Sequence, residues 1–211
     1  MRHPKPLPTA LRSRPFRVRE ARAAGVTTGR LAARDLDAPF PGVRAPAGSA
    51  AASLEDRARQ FAVRMPPWQF FSHSTALALV GVPLPSDRRS ALLHVAAHRP
   101  RREPRVAGVV GHRLGEGEPD VREVEGLRVE APARAWRHAA SWWTNDDLVV
   151  AGDALVGRNR LLTLDDLAAE VARGAGRGYA TLVAALADVR VGAESPTETR
   201  LRLVLQRAGL P

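Results

Sequence analysis

The chain has no cysteine in 211 residues. That excludes disulfides, zinc–thiolate sites, iron–sulfur clusters and thiol nucleophiles. Lysine is nearly missing too: Lys5 stands alone against a large excess of arginine. Aromatic residues make up 5% of the chain, with a single tyrosine. No apolar run approaches the roughly 20 residues that a membrane-spanning helix needs. The N-terminus, MRHPKPLPTAL, has prolines where a signal peptide has its apolar centre. The expectation is a cytoplasmic protein with no membrane partner.

What is present is globular in kind. Hydrophobic residues make up 45% and charged residues 26%, enough to bury a core and too apolar for disorder throughout. The length suits one large domain or two small ones, and no internal repeat is visible. A formal net charge of +10 and a sequence pI near 11.5 favour a polyanionic partner. Arginine alongside abundant alanine, glycine and proline is also what a GC-rich genome produces, which discounts the charge argument.

The most organised stretch is Pro15 to Arg44. Arg17 to Ala24 predicts a helix ending at Gly25, and Thr28 to Leu36 a second helix. Ala21 is small where two helices would cross, Gly25 can take the left-handed turn, and Leu31 can plug the second helix into a core. The prolines between Ala38 and Pro46 forbid helix and suggest a β wing. This spacing predicts a winged helix-turn-helix over residues 8–48. Arg2, Lys5, Arg12, Arg14, Arg17, Arg19, Arg22 and Arg30 face only Glu20 in the first thirty residues, the basic skin that phosphate contacts require. Double-stranded DNA is the expected partner, with Thr28, Arg30 and Arg34 in the major groove. Arg30 is the expected base reader, since a guanidinium can grip guanine through two hydrogen bonds. Arg17 and Arg44 are expected on phosphates. The competing reading is a protein-interaction module with a solvated basic face.

Further on, Met1 to Pro8 reads as an arm and Ala45 to Ala52 as a linker. Ser53 with Asp56 predicts a capped helix to about Met65, stopped by Pro66. Trp68 to Phe71 reads as a short strand or turn, and Ser72 as the cap of a helix over His73 to Val80. The valine-rich runs from Ala91 to Ala131 predict a small antiparallel sheet of three or four strands, with a basic loop at Arg99 to Arg105. Helices are predicted from Pro132, from Asn145 to Gly157, from Thr163 to about Arg173, and over Tyr179 to Ala187. Ser195, Pro196 and Glu198 open the last one. Its stripe Leu201, Leu205 and Ala208 is expected to be the apolar face, with Arg200, Arg202 and Arg207 turned partly outward. The fold class is therefore α+β, mostly helical.

Several of these segments together, SHSTALALVGVPLP, GLRVEAPARAW and DDLVVAGDALV, following the helix-turn-helix, resemble the AbiEi-type antitoxin family of actinobacteria. The resemblance covers most of residues 8–190 and implies a winged helix-turn-helix followed by a second domain, here 53–190. Ala135 departs from the threonine common there. The closing segment 194–211, ESPTETRLRLVLQRAGLP, resembles the first helix of very-short-patch-repair-like endonucleases of the PD-(D/E)xK type, in which a glutamate matching Glu198 serves the active site. The Asp and Glu-x-Lys strands of that site do not follow, so no complete catalytic set is expected here. Mg²⁺ would be implied only for a full-length nuclease. The resemblance leaves three functions open: a DNA-binding antitoxin or regulator, an antitoxin acting through contact with a cognate toxin, and an inactive endonuclease fragment.

The remaining candidates read as structure. His94 and His98 are four apart on a strand, about 13 Å, too far for one metal, and no metal site is expected. Ser72 and His73 read as a helix cap. His112 and His138 have no partner identifiable from sequence. Trp136 reads as core, while Trp142 and Trp143 end a helix together. Asp153, in the middle of an apolar helix, is expected to pair with Arg134 or Arg137.

Overall fold

Gly25 makes the first corner of the chain. In the computed structural model, which describes residues 4–48, 53–85, 92–115, 120–157, 161–174 and 176–210, its φ is +79°, a value glycine adopts without steric cost. The start of the expected arm (residues 1–3), the end of the expected linker (49–52) and Ala91 lie outside the described residues. The architecture is mixed α+β with more helix than strand. The chain divides into two compact units, Met1–Phe70 with Ala91–Glu116, and Phe71–Ser90 with Gly117–Pro211.

In the first unit a 3-10 turn (Thr9–Leu11) leads to β1 (Phe16–Arg17), α1 (Val18–Ala23), α2 (Thr28–Leu31), β2 (Leu36–Asp37) and β3 (Val43–Pro46). The three strands form an antiparallel sheet ordered β1-β3-β2, with Phe16 opposite Arg44 and Leu36 opposite Pro46. Leu7, Leu11, Phe16, Ala21, Val26 and Leu31 close one small core, with Val18 and Leu36 packed against it. Thr27 caps α2 by accepting the Arg30 N–H. The second helix expected over Thr28 to Leu36 stops at Leu31. Leu36 and Asp37 are taken by the β3 ladder, and the Asp35 carbonyl accepts the Ala47 N–H at 2.8 Å, so tertiary pairing overrides local helix propensity.

The first unit continues with α3 (Leu54–Ala62), capped by Ser53 as expected, β4 (Gln69–Phe71), β5 (Leu93–His98) and β6 (Val109–Leu114). The sheet expected as small and antiparallel is instead mixed. β5 and β6 run parallel, in register from Leu93↔Val109 to His98↔Leu114. Residues 99–108 bring the chain back so that both strands point the same way, and they pass so close that a Cβ on Gly111 would sit 2.2 Å from the Pro104 carbonyl oxygen.

The second unit holds α4 (His73–Leu79), the hairpin β7 (Val121–Val124) and β8 (Leu127–Glu130), α5 (Pro132–Ala139), α6 (Asn145–Val156), α7 (Leu164–Ala172), α8 (Tyr179–Asp188) and α9 (Pro196–Arg207). Phe71 pairs in parallel with Val129 of β8, and β7 pairs antiparallel with β8. Pro132 occupies the first turn of α5. Thr144 with Asp147 and Thr163 with Asp166 form complete capping boxes on α6 and α7. From Asp147 to Val156 every residue of α6 is buried, and at Gly152 an added Cβ would meet Val189 at 2.5 Å.

The last helix, α9, docks through its charges. Arg200 reaches Asp147 at 2.8 Å, Arg202 reaches Asp153 at 2.8 Å, and Arg207 pairs with Asp146. Thr199 and Leu203 are its buried residues, while Leu201 and Val204 are exposed. Of the expected apolar stripe, Leu201 and Ala208 are exposed and Leu205 is half-buried, because the arginines follow the aspartates of α6. Asp153 likewise pairs with Arg202 and Thr199, not with Arg134 or Arg137, which meet Glu170 of α7 instead.

The Arg207 hydrogen bonds hold the Asp146 carboxyl below its ordinary range, against the opposing effect of burial. A carboxyl whose folded pKa is depressed contributes stability above its unfolded pKa, about 4, and loses it as pH falls through the lower folded value. Asp146→Asn is therefore expected to lower the urea midpoint at pH 7, with the difference shrinking steadily as pH falls below about 4. A difference that does not shrink as pH falls below about 4 would refute the ion-pair origin.

Candidate nucleic-acid interface

The basic residues of the N-terminal region separate into two groups. In the first, donors are turned inward. Arg17 gives its Nε–H to the Val63 carbonyl and Nη2–H to that of Met65 at 3.3 Å, closing the end of α3. Burial lowers its pKa, and the neighbouring Arg19 and Arg64 add to the effect. Arg44 donates to the Leu31 carbonyl at 2.8 Å, fastening the end of α2 to β3. Arg30 grips both oxygens of Asp35, at 2.9 and 2.6 Å, and donates Nε–H to the Lys5 carbonyl. Its side chain is only 10% exposed. A bidentate carboxylate occupies the same donor fork that guanine would need.

The second group faces solvent. Arg34 and Thr28 are exposed, and so are Arg19 and Arg22 on α1. Arg19 and Arg22 are three apart, so one helix face carries both. Among the described residues no carboxylate pairs with Arg19, Arg22 or Arg34. Arg14, by contrast, is paired with Glu20. Arg19 and Arg22 were legible in principle: with Ala21 fully buried, positions 19 and 22 must turn outward. Elsewhere in the same unit, Arg101 lies over the half-exposed Trp68, 4.9 Å from the ring centroid.

Glu198 accepts the Glu194 N–H at 2.9 Å while Ser195 accepts the Glu198 N–H at 3.1 Å, a helix-capping arrangement. Ser72 stands at the cap position of α4 but makes no side-chain cap bond; its Oγ lies 3.0 Å from His73 Nδ1. His94 meets His112 at 2.9 Å, with their rings stacked. His138 has a partner after all, Glu130. Trp136 is fully buried, Trp143 is nearly so, and Trp142 is 43% exposed with Arg177 over its ring.

No family model matches the chain, and no curated protein matches it. Among solved structures it is similar to the one described as "Crystal structure of RV2827C protein from Mycobacterium tuberculosis". The TM-score is 0.50 at 15% identity, over 90% of this chain and 76% of that chain. At that identity the likeness concerns the fold alone. Among the described residues no helix is long and apolar enough to cross a membrane.

Proposed function

We propose that residues 8–48 form a winged helix-turn-helix that binds double-stranded DNA, in the setting of an AbiEi-like antitoxin or transcriptional regulator. The observation that carries this reading is the segregation of cations: Arg19, Arg22 and Arg34 are exposed and, among the described residues, without carboxylate partners around the Gly25 corner, where inter-helix geometry would present them to a duplex. Thr28 adds an exposed hydroxyl at the first turn of α2. In this assignment Arg17, Arg30 and Arg44 shape the module and the four exposed side chains touch DNA. Because α2 is a single turn, most of the affinity comes from phosphates and little from base edges.

Fluorescence anisotropy of a labelled duplex over a salt series tests it. Binding is expected to weaken linearly in log–log form, by about 0.9 per phosphate neutralised. Arg19→Ala, Arg22→Ala and Arg34→Ala should each flatten that slope by about 1. Arg30→Ala should lower the melting temperature while leaving the slope in place. Absence of saturable binding at low salt would refute the reading and direct attention to a protein partner such as a toxin.

A further inference from the structure

We infer that the second unit contains a divalent transition-metal site built from His73, Glu130 and His138. Among the described residues of this unit four carboxylates are buried: Glu130, Asp147, Asp153 and Glu170. Three of them are neutralised by arginine, Asp147 by Arg200, Asp153 by Arg202, and Glu170 by Arg137 with Arg134 and Arg173 near. Glu130, at 1% exposure, is the exception. Its partners among the described residues are the His138 ring at 2.9 Å on Oε1 and the His73 N–H at 3.2 Å on Oε2. Among the described residues of a chain this rich in arginine, the one deeply buried carboxylate without a guanidinium is surrounded by imidazole. A buried carboxylate needs a counter-charge, and imidazole is the side chain that admits a metal as well as a proton.

The geometry is built for convergence. Glu130 ends β8, Pro132 starts α5 after the single residue Ala131, and His138 lies in the last turn of that helix. His73 opens α4 with φ +51°, a left-handed conformation that costs a non-glycine residue free energy and survives only where the surroundings enforce it. That conformation aims its N–H at Glu130 and lays its ring beside that of His138, centroids 5.1 Å apart and 23° from parallel. The fully buried Ser72 holds His73 Nδ1 at 3.0 Å, the kind of outer partner that orients a metal-ligating imidazole. One ligand atom from each of the three residues lies within 4.8 Å of the others. A metal bound at about 2.0–2.2 Å from each needs only small side-chain rotations to draw them together. Two imidazoles and one carboxylate favour Zn²⁺, with Co²⁺ as a spectroscopic substitute. His138, 18% exposed, marks the side from which solvent would fill the remaining coordination position.

The test uses the whole chain, stripped with a chelator and dialysed. Titration with Zn²⁺ by calorimetry is expected to show one tight equivalent lost on His138→Ala, with affinity falling about 100-fold or more. Ser72→Ala should weaken it about 10-fold, the effect of removing an outer partner. Co²⁺ should give visible absorption of four- or five-coordinate intensity in the wild type and not in Glu130→Gln. Circular dichroism confirms folding, and His138, at the solvent edge, supplies the variant least prone to unfold. Failure of the folded protein to take up Zn²⁺ would overturn the inference and leave Glu130–His138 as a hydrogen-bonded pair. Uptake unchanged by His138→Ala and Ser72→Ala would also overturn it, by placing the metal elsewhere. Neither result bears on the DNA reading.

Discussion

Trp136→Ala is expected to cost about 3–5 kcal/mol, the range for removing a large aromatic side chain from a packed core. Trp136 is fully buried, and its Nε1–H donates to the Leu148 carbonyl at 2.8 Å, so the ring both fills space and ties α5 to α6. A loss of that size is a large part of the total stability of a small domain, which runs to about 5–15 kcal/mol. The substitution should therefore leave the second unit close to unfolding at 37 °C. Trp136→Phe separates the two contributions. It keeps most of the volume and loses the hydrogen bond, at about 1–2 kcal/mol. Trp142→Ala is the contrast: half-exposed with Arg177 over its face, it should cost about 1 kcal/mol or less. Urea denaturation followed by far-ultraviolet circular dichroism ranks the three. A Trp136→Ala midpoint no lower than that of Trp142→Ala would contradict the packing described.

Helix boundaries were readable where the signal is local. Ser53, Thr163 and Ser195 cap the helices they precede, and Pro132 and Pro196 occupy first turns. Those contacts span three residues, so the sequence displays both partners side by side. Strand direction is different. The valine-rich alternation of β5 and β6 is the same whether the pair is parallel or antiparallel, and only the path of residues 99–108 decides. That path depends on Gly111 yielding space to the Pro104 carbonyl, a contact with no motif. The division into units is equally hidden, since each unit combines segments distant in sequence.

The candidate sites divide along the same line. The Gly25 corner with Ala21 and Leu31 was legible because spacing along the chain specifies it. What each arginine does was not. Arg17 binds carbonyls 46 and 48 residues away, and Arg44 one 13 residues away, so a count of basic residues overstates the charge left for a ligand. His138 looked partnerless because Glu130 lies in a strand eight residues earlier, and His73 meets the same carboxylate across 57 residues. The glutamate itself gave no signal: an acidic residue at a strand end is ordinarily solvated, and only burial reveals it.

Asp153→Ala is expected to destabilise the second unit by about 3–5 kcal/mol, as for breaking a buried ion pair by removing one partner. The carboxylate is 1% exposed and receives three bonds: the Arg190 N–H at 2.7 Å, the Thr199 hydroxyl at 2.8 Å and the Arg202 guanidinium at 2.8 Å. It thereby anchors both the exit of α8 and the first turns of α9 to α6. Alanine leaves three donors without this acceptor, the Thr199 hydroxyl fully inside, and the half-buried Arg202 keeps its charge. Asp153→Asn should cost less, since an amide oxygen can still accept from Arg190. A double-mutant cycle locates the energy. Asp153 should couple to Arg202 by 1 kcal/mol or more, within the span of about 0.5–3 kcal/mol for residues in one network, and to Arg134 and Arg137 not at all. Strong coupling to Arg202 would make α9 an integral part of this unit, held by charge rather than by an apolar stripe. Its exposed Leu201 and Val204 would then be spectators to folding, and Leu201→Ser should move the urea midpoint far less than Thr199→Val, which removes a hydroxyl that Asp153 uses. Equal effects of those two substitutions would mean that the helix is held by its apolar side after all.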